Sequence, residues 1–442
     1  MGSNYVSFYD ISIAAFWLLI FLVIANSRAK KVDSNIRKYY MRNVLFKFFF
    51  AIVFAVVYLI FYGGGDTTAY WDGAVTLNNL FINSPSLYFE NLINEPSSEI
   101  FSKHFNVDTG YPPGWLFKEP EAWFICKVAS VVSFITFKSY FAGTLFFAFL
   151  TAMATWRVFE MIVKLGTHKV NIAALCILFV PSVSFWCTGI SKDSVVFISI
   201  LNLLYFVFNI MVLRNAIKLK HVLIILISIF LIYHVRSFIL AAIAAPIFMS
   251  FGARLTKRYE KQFLTKLLFR SFIFLGGILL FVQFFSSSFS AEMVAEAELV
   301  QSDFTENQIY TGKRYEISNI DASPAGLIRA IPESVFYGIY RPFIYESFSP
   351  TLIVNGIESL VLMILTIRFF FSRDLFSKIK YIRKEEILVF ALIFALFIAF
   401  MSGFTSVLFG VLVRIRAPLL PFFFLVLTAN VALIENKNNA EK

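Results

Sequence analysis

Charged residues are scarce in this sequence. Only 15% of the 442 residues are Asp, Glu, Lys or Arg, whereas 59% are hydrophobic, and the mean hydropathy is +0.74. A soluble domain of this size carries far more surface charge, so the composition excludes that class. We interpret the chain as a polytopic membrane protein.

Cysteine and histidine are too few and too dispersed to indicate a metal or redox site. The three cysteines have no CxxC spacing, and the four histidines have no HExxH spacing. The net charge of +11 does not indicate a nucleic-acid partner, because the basic residues lie in short segments between apolar runs. The first apolar run lacks a basic leader and a cleavage site, so we predict that it is retained.

Apolar runs long enough to cross a bilayer as helices recur along the chain. We predict an all-α transmembrane helical bundle with about eleven spans. They are residues 10–26, 43–62, 139–163, 170–190, 193–213, 221–235, 237–253, 271–289, 351–371, 387–404 and 417–434. The pair 221–235 and 237–253 is alternatively one broken hairpin. Residues 122–137, interrupted by Lys127, are either a further span or an interfacial helix.

The charges of the connecting segments orient these spans. Basic residues dominate residues 27–42, 254–270 and 373–386, which predicts that these segments are cytoplasmic. Residues 63–121 contain eight acids and two bases, and residues 290–350 contain nine acids and four bases. We therefore predict one transmembrane domain over residues 1–442 with an outer N-terminus and an inner C-terminus. The segments 63–121 and 290–350 are its two extracytoplasmic loops.

Two acids follow the second predicted span. Residues 63–65 are glycines, which permit a sharp turn, and Asp66 then lies at the bilayer surface with Asp72 six residues on. A carboxylate here is suited to act as a general base on a sugar hydroxyl, or to bind a divalent cation together with Asp72. The alternative is a solvated Asp66 that caps a helix beginning at Thr67.

Cations form the second and third candidate groups. Lys192 and Asp193 resemble an ion pair in a tight outer connection, where Ser191 or Ser194 caps the next helix. Lys192 and that helix end could hold a phosphate, and a capped hairpin turn is the alternative.

Four further cations, all arginines, lie on the predicted outer side. Their guanidinium forks suit a diphosphate, and snorkelling to lipid phosphates is the alternative. They are Arg236, Arg341, Arg414 and Arg416. Snorkelling accounts for the cations near cytoplasmic ends of spans, Lys47, Arg157 and Arg368.

An acid that heads a long outer loop after an early span resembles the C-type glycosyltransferase superfamily, whose enzymes use polyprenyl-phosphate-linked sugars. In that family an acid of the first large outer loop is catalytic, and Asp66 matches it by position. The Arg-x-Arg-x-Pro run at 414–418 and the Arg-Pro-Phe run at 341–343 resemble O-antigen polymerase-like proteins of bacterial surface-polysaccharide synthesis. Two features depart from the family. The span 10–26 is an N-terminal addition, and the usual acid pair is absent, which leaves the metal requirement open.

The resemblance implies a glycosyltransferase or polysaccharide polymerase of the bacterial inner membrane, with its active site outside the cytoplasm. Asp66 would deprotonate the acceptor, and Asp72 would assist it or hold a divalent cation. The implied partners are a polyprenyl-linked sugar donor, a glycan or lipid acceptor and membrane lipids. The implied phosphate-binding residues are Lys192, Arg236, Arg341, Arg414 and Arg416.

Two other functions are compatible with the sequence. A transporter or flippase of lipid-linked glycans would hold the headgroup with the same cations, although the internal repeats common in transporters are absent. A structural membrane component of a secretion or motility assembly would need a large partner-facing surface, and no charge run indicates one.

The predicted topology can be tested by cysteine labelling in a variant that lacks the three native cysteines. A membrane-impermeant maleimide added from outside should modify a cysteine placed at Asn106, in the segment 63–121, and should spare one placed at Gln262, in the segment 254–270. The opposite pattern would place the candidate residues on the cytoplasmic side.

Overall fold

The computed structural model describes residues 5–258, 262, 264–265, 268, 271–272, 276, 315, 324–347, 349–406 and 408–429. Within these residues the chain forms helices and no β-strand, which confirms the predicted all-α helical membrane bundle. Eight helices in this part are long and apolar enough to cross a membrane: Phe8–Ala29, Ser34–Phe61, Tyr140–Leu165, Lys192–Met211, Leu219–Arg236, Leu352–Phe370, Glu386–Thr405 and Phe409–Leu427. The count of eleven spans and the orientation stay predictions.

We number the described α-helices α1 to α18 in chain order. They are Phe8–Ala29, Ser34–Val56, Asp66–Asn83, Pro85–Ile93, Ser98–His104, Pro120–Ile135, Tyr140–Leu165, Val170–Leu178, Pro181–Trp186, Lys192–Met211, Leu219–Arg236, Phe238–Arg258, Pro324–Tyr340, Pro350–Phe370, Leu375–Ile382, Glu386–Thr405, Phe409–Arg416 and Leu420–Leu427.

Packing divides the chain into two compact units. Unit 1 comprises residues 1–161 and 183–237, and unit 2 comprises residues 162–182 and 238–442. No Pro-, Gly- or Ser-rich linker marks these boundaries in the sequence. This is why the composition by itself favours one domain.

In unit 1 the predicted outer loop 63–121 is folded into helices. A π-helical turn, Val57–Phe61, ends the second span, and glycines 63–65 follow with φ values of 63°, 125° and 137°. Such positive φ values are readily adopted only by glycine, so these residues make the turn into α3. Further along, the fully buried Trp123 ring packs on Phe101 at a centroid distance of 4.6 Å. Aromatic packing therefore orders the segment.

Three predicted spans differ from the structure or lie outside it. Residues 170–190 are not one helix, because the chain breaks between α8 and α9 ahead of Pro181, which lacks an amide hydrogen and disfavours helical geometry in the preceding residue. The last span begins at Phe409 rather than at residue 417, and it passes Pro418 through a 3₁₀ turn. The predicted span 271–289 lies almost entirely outside the described residues. The 16-residue α6, Pro120–Ile135, covers the ambiguous residues 122–137 except the last two.

Helices α13 and α16 approach each other closely at two glycines. A Cβ atom at Gly338 would lie 1.9 Å from the Ala399 carbonyl oxygen, and one at Gly403 would lie 1.9 Å from the Ser334 carbonyl oxygen. Small residues permit such contact between helices in membranes, where dispersion attraction holds them together.

A methyl group at this contact should separate the two helices. We expect Gly338→Ala to lower the free energy of unfolding by about 1–3 kcal/mol, the usual cost of overpacking. The backbone atoms of α16 cannot rotate away from the added methyl group as a side chain could. Gly410→Ala is the matched control, since no atom lies within 4 Å of its Cβ position. Melting curves in detergent would check this, and equal midpoints for both variants would contradict the close approach.

Candidate functional site

Asp66 is the first residue of α3 and not its N-cap. The cap position is Gly65, whose amide donates to the Thr68 hydroxyl at 3.0 Å. A carboxylate in the first helical turn is favoured by the partial positive charge of the helix end. The alternative in which Asp66 caps a helix from Thr67 is therefore wrong.

Asp72 lies one and a half turns further along α3, at the protein surface. The Tyr5 hydroxyl donates a hydrogen bond to its carboxylate. Next to it, Gly73 packs directly on α6, because a Cβ atom there would lie 2.7 Å from the Cys126 sulfur. Asp72 is thereby held beside α6 and the N-terminal segment.

Helix α6 contacts both α3 and the start of α10. Gly73 of α3 packs on Cys126, and Glu121 in the first turn of α6 lies 3.7 Å from the Lys192 Nζ. Burial raises the pKa of the Cys126 thiol, the negative charge of Asp72 raises it further, and the positive charge of Lys192 lowers it. Asp72 and Lys192 are therefore both neighbours of α6.

Lys192 is the first residue of α10, and its ammonium group faces two carboxylates. Its Nζ lies 3.4 Å from Glu119 and 3.7 Å from Glu121, which stand at the end of the predicted outer loop. The side chains of both acids are about half exposed, whereas that of Lys192 is 17% exposed. Ser191 caps the helix by accepting the Ser194 amide at 3.1 Å, as predicted.

Asp193 pairs with Arg236 and not with Lys192, so the predicted pair is wrong. Neighbouring residues of a helix point about 100° apart and do not face each other. The Arg236 guanidinium lies 2.8 Å from the Asp193 carboxylate, whose side chain is only 1% exposed.

Lys47 was predicted to snorkel, and the structure contradicts this. Its side chain is fully buried in the second span, and its Nζ donates to the Ser184 hydroxyl at 2.6 Å. Because Lys47 has no exposed surface, its ammonium group does not reach the interface. Arg157 is half-buried and donates to Asn202 at 2.6 Å, whereas Arg368 is exposed, as snorkelling requires.

Unit 2 contains the other predicted arginines. Arg341 lies over the Tyr337 ring at 4.1 Å and 3.6 Å from the Glu346 carboxylate. Arg416 is fully buried inside the last span, where its guanidinium donates to the Arg341 carbonyl oxygen at 2.5 Å. Unit 2 thus brings Arg341 and Arg416 together, and the half-buried Arg414 lies on the same helix as Arg416.

Three further hydrogen bonds of the Arg416 guanidinium are directed at its own unit, while its Nε has no hydrogen-bond partner among the described residues. They reach the Ile339 carbonyl at 3.2 Å, the Ser359 hydroxyl at 3.0 Å and the Asn355 carbonyl at 3.2 Å. These contacts join α17 to α13 and α14. Arg416 therefore acts as a structural anchor, and a direct role in binding phosphate would require these bonds to break.

Glu358 is a buried acid that is not among the predicted site residues. This buried carboxylate lies within the span of α14, accepts the Ser182 amide at 2.9 Å and the Ser182 hydroxyl, and attracts the charge of Arg416. The signal was available, because Glu358 is the lone acid of the apolar run 351–371 and ionisable residues in spans are costly. Within the described residues, no group of three or more His, Cys, Asp or Glu could hold a metal ion.

The anchoring role of Arg416 predicts a difference between two arginines of one helix. We expect Arg416→Lys to lower the unfolding free energy by about 2–4 kcal/mol, because one ammonium group cannot reach all four acceptors and those left over stay buried without a donor. Arg414→Lys, at a half-buried position, should change stability little. Melting temperatures of the two purified variants would check this, and an unchanged midpoint for Arg416→Lys would rule out the anchor.

Comparisons with protein-family models, curated proteins and solved structures find no match to this chain. The arrangement of its own residues therefore carries the functional proposal.

Proposed function

We propose that this protein is a membrane glycosyltransferase or polysaccharide polymerase that uses a polyprenyl-phosphate-linked sugar on the side of the membrane that holds residues 63–121. One observation carries the proposal. In unit 1, Lys192 lies against Glu119 and Glu121, and α6, which carries Glu121, packs on Gly73 beside Asp72. This arrangement supports the proposal, because transfer of a phosphate-linked sugar needs an acid and a cation close to each other.

In this mechanism the acceptor hydroxyl attacks the anomeric carbon of the donor sugar. Asp66 takes the hydroxyl proton, and the bond from the anomeric carbon to the phosphate oxygen breaks. The electron pair leaves with the lipid phosphate as an anion. Lys192 and Arg236 stabilise that anion, because fixed cations in a poorly solvated site lower the energy of developing charge. Asp72 assists Asp66 or binds a divalent cation.

The two cations have different resident partners. Glu119 and Glu121 are half exposed, so they can release Lys192 and turn toward water when a phosphate arrives. Asp193 is buried and has no such alternative, which fixes Arg236 in place. We therefore assign Lys192 as the main phosphate contact. Arg341 and Arg414 stay phosphate-binding candidates predicted from the sequence, and within unit 2 Arg416 holds the main-chain carbonyl group of Arg341.

A transporter of lipid-linked glycans is the second candidate. The break between α8 and α9 favours it, because discontinuous helices often form the substrate sites of transporters. In this case the cations hold a headgroup while the lipid crosses, and no sugar bond breaks. With either function, we propose that the protein lies in a bacterial inner membrane.

Asp66→Asn distinguishes these functions. The purified chain in nanodiscs is supplied with a panel of polyprenyl-phosphate- and polyprenyl-diphosphate-linked sugars, and release of sugar from the lipid is measured by mass spectrometry. We expect the variant to lose about two orders of magnitude or more of activity, the scale of a general base, with unchanged thermal stability. Asp108→Asn removes an exposed acid of the same segment and should be silent.

Lys192→Gln should raise the KM for the donor, whereas Lys118→Gln, which removes another cation of the segment, should not.

Normal turnover by Asp66→Asn would remove its role as base. Movement of labelled lipid between leaflets without any cleavage would replace the transferase by the transporter.

A further inference from the structure

Unit 2 contains a cavity of about 380 Å³ where the ends of α8, α14, α15 and α18 meet. Its wall includes Arg368 and Phe369 from the last turn of the α14 span, so the cavity lies at the level where the hydrocarbon core ends. None of the residues proposed for glycosyl transfer lines it. The cavity therefore needs an explanation of its own.

The cavity is strongly cationic. Lys169, Arg368 and Lys378 line it against a single carboxylate, Asp374. None of the three cations forms an ion pair with any residue that the structure describes. Burial lowers the pKa of His168, whose Nε2 lies 2.8 Å from the Leu425 carbonyl oxygen. This imidazole is neutral at pH 7, so the excess positive charge comes from the three cations.

Apart from Thr428, the rest of the cavity wall is apolar. Ile172, Leu365 and Leu427 line it together with Phe369. A charged mouth on an apolar wall matches a molecule that has an anionic head and a hydrocarbon chain. Inorganic phosphate would use the cations but would gain nothing from the apolar wall.

Helix α15 beside the cavity has the character of an interfacial helix. Phe371, ahead of the helix, is 85% exposed and Phe376 is 86% exposed, while Tyr381 and Ile382 are buried. Exposed aromatic residues among lysines are typical of helices that lie in the headgroup region. The excess of bases in residues 373–386 predicts the cytoplasmic leaflet, which carries anionic lipids.

From these observations we propose that this cavity binds an anionic phospholipid of the cytoplasmic leaflet. Arg368, Lys169 and Lys378 hold the headgroup phosphate, and the apolar wall with the exposed phenylalanines receives the first part of an acyl chain. Such a lipid would tie α15 to the end of the α14 span.

Native mass spectrometry of the full chain, released from nanodiscs with and without phosphatidylglycerol, tests the site. Arg368→Gln and Lys378→Gln should each weaken retention of phosphatidylglycerol about fivefold, the scale of one basic residue near an anionic surface. Lys169→Gln provides a third variant should either of these fold poorly. Phosphatidylcholine retention should be unchanged in all of them.

The controls are Arg373→Gln and Lys380→Gln, which remove the same charge from the same segment but from outside the cavity wall. They should retain phosphatidylglycerol nearly as well as the unmodified chain. Equal losses in cavity and control variants would mean diffuse surface attraction and would overturn the proposal. Equally tight binding of soluble glycerol phosphate would also overturn it, since the site would then recognise free phosphate. Glycosyl transfer enters neither measurement, so the two proposals succeed or fail separately.

Discussion

A charge buried among apolar helices must find its partners within the protein, because hydrocarbon offers none. The chain meets this constraint in three ways. Lys47 donates to a hydroxyl, Asp193 meets a guanidinium, and Arg416 donates mainly to carbonyl oxygens. Each contact joins different helices, and those of Lys47 and Arg416 join helices that are distant in sequence. Since removing one partner leaves the other buried and uncompensated, these contacts determine which helices can pack together.

The same constraint divides the candidate site into a fixed part and an exchangeable part. The Asp193–Arg236 pair is nearly dry, so its geometry is set before any substrate arrives. Lys192 is held by two acids that reach water, and a competing anion can replace them at small cost. A site built in this way keeps its shape when empty and still admits a phosphate.

The sequence predicts the all-α bundle of apolar helices because burial in lipid needs only length and hydrophobicity, which are local properties. It fails where the outcome depends on distant partners. Lys47 lies near the end of an apolar run, which suggests snorkelling, but its partner Ser184 is 137 residues away in the sequence. Lys192 is next to Asp193 in the sequence, but on a helix the two side chains point in different directions and bind different partners. Pro181 indicates a break in the helix, but the continuous apolar run around it favours a single span.

The bond between Ser182 and Glu358 has a consequence for biosynthesis, because 176 residues separate the two positions. At about 5–20 residues per second, the ribosome needs about 9 to 35 s to make that interval. During this time residues 162–182 have already left the ribosome, whereas the helix that completes their unit does not yet exist. Until Glu358 has been synthesised, the Ser182 amide at the start of α9 must therefore form its hydrogen bond with water or with the insertion machinery.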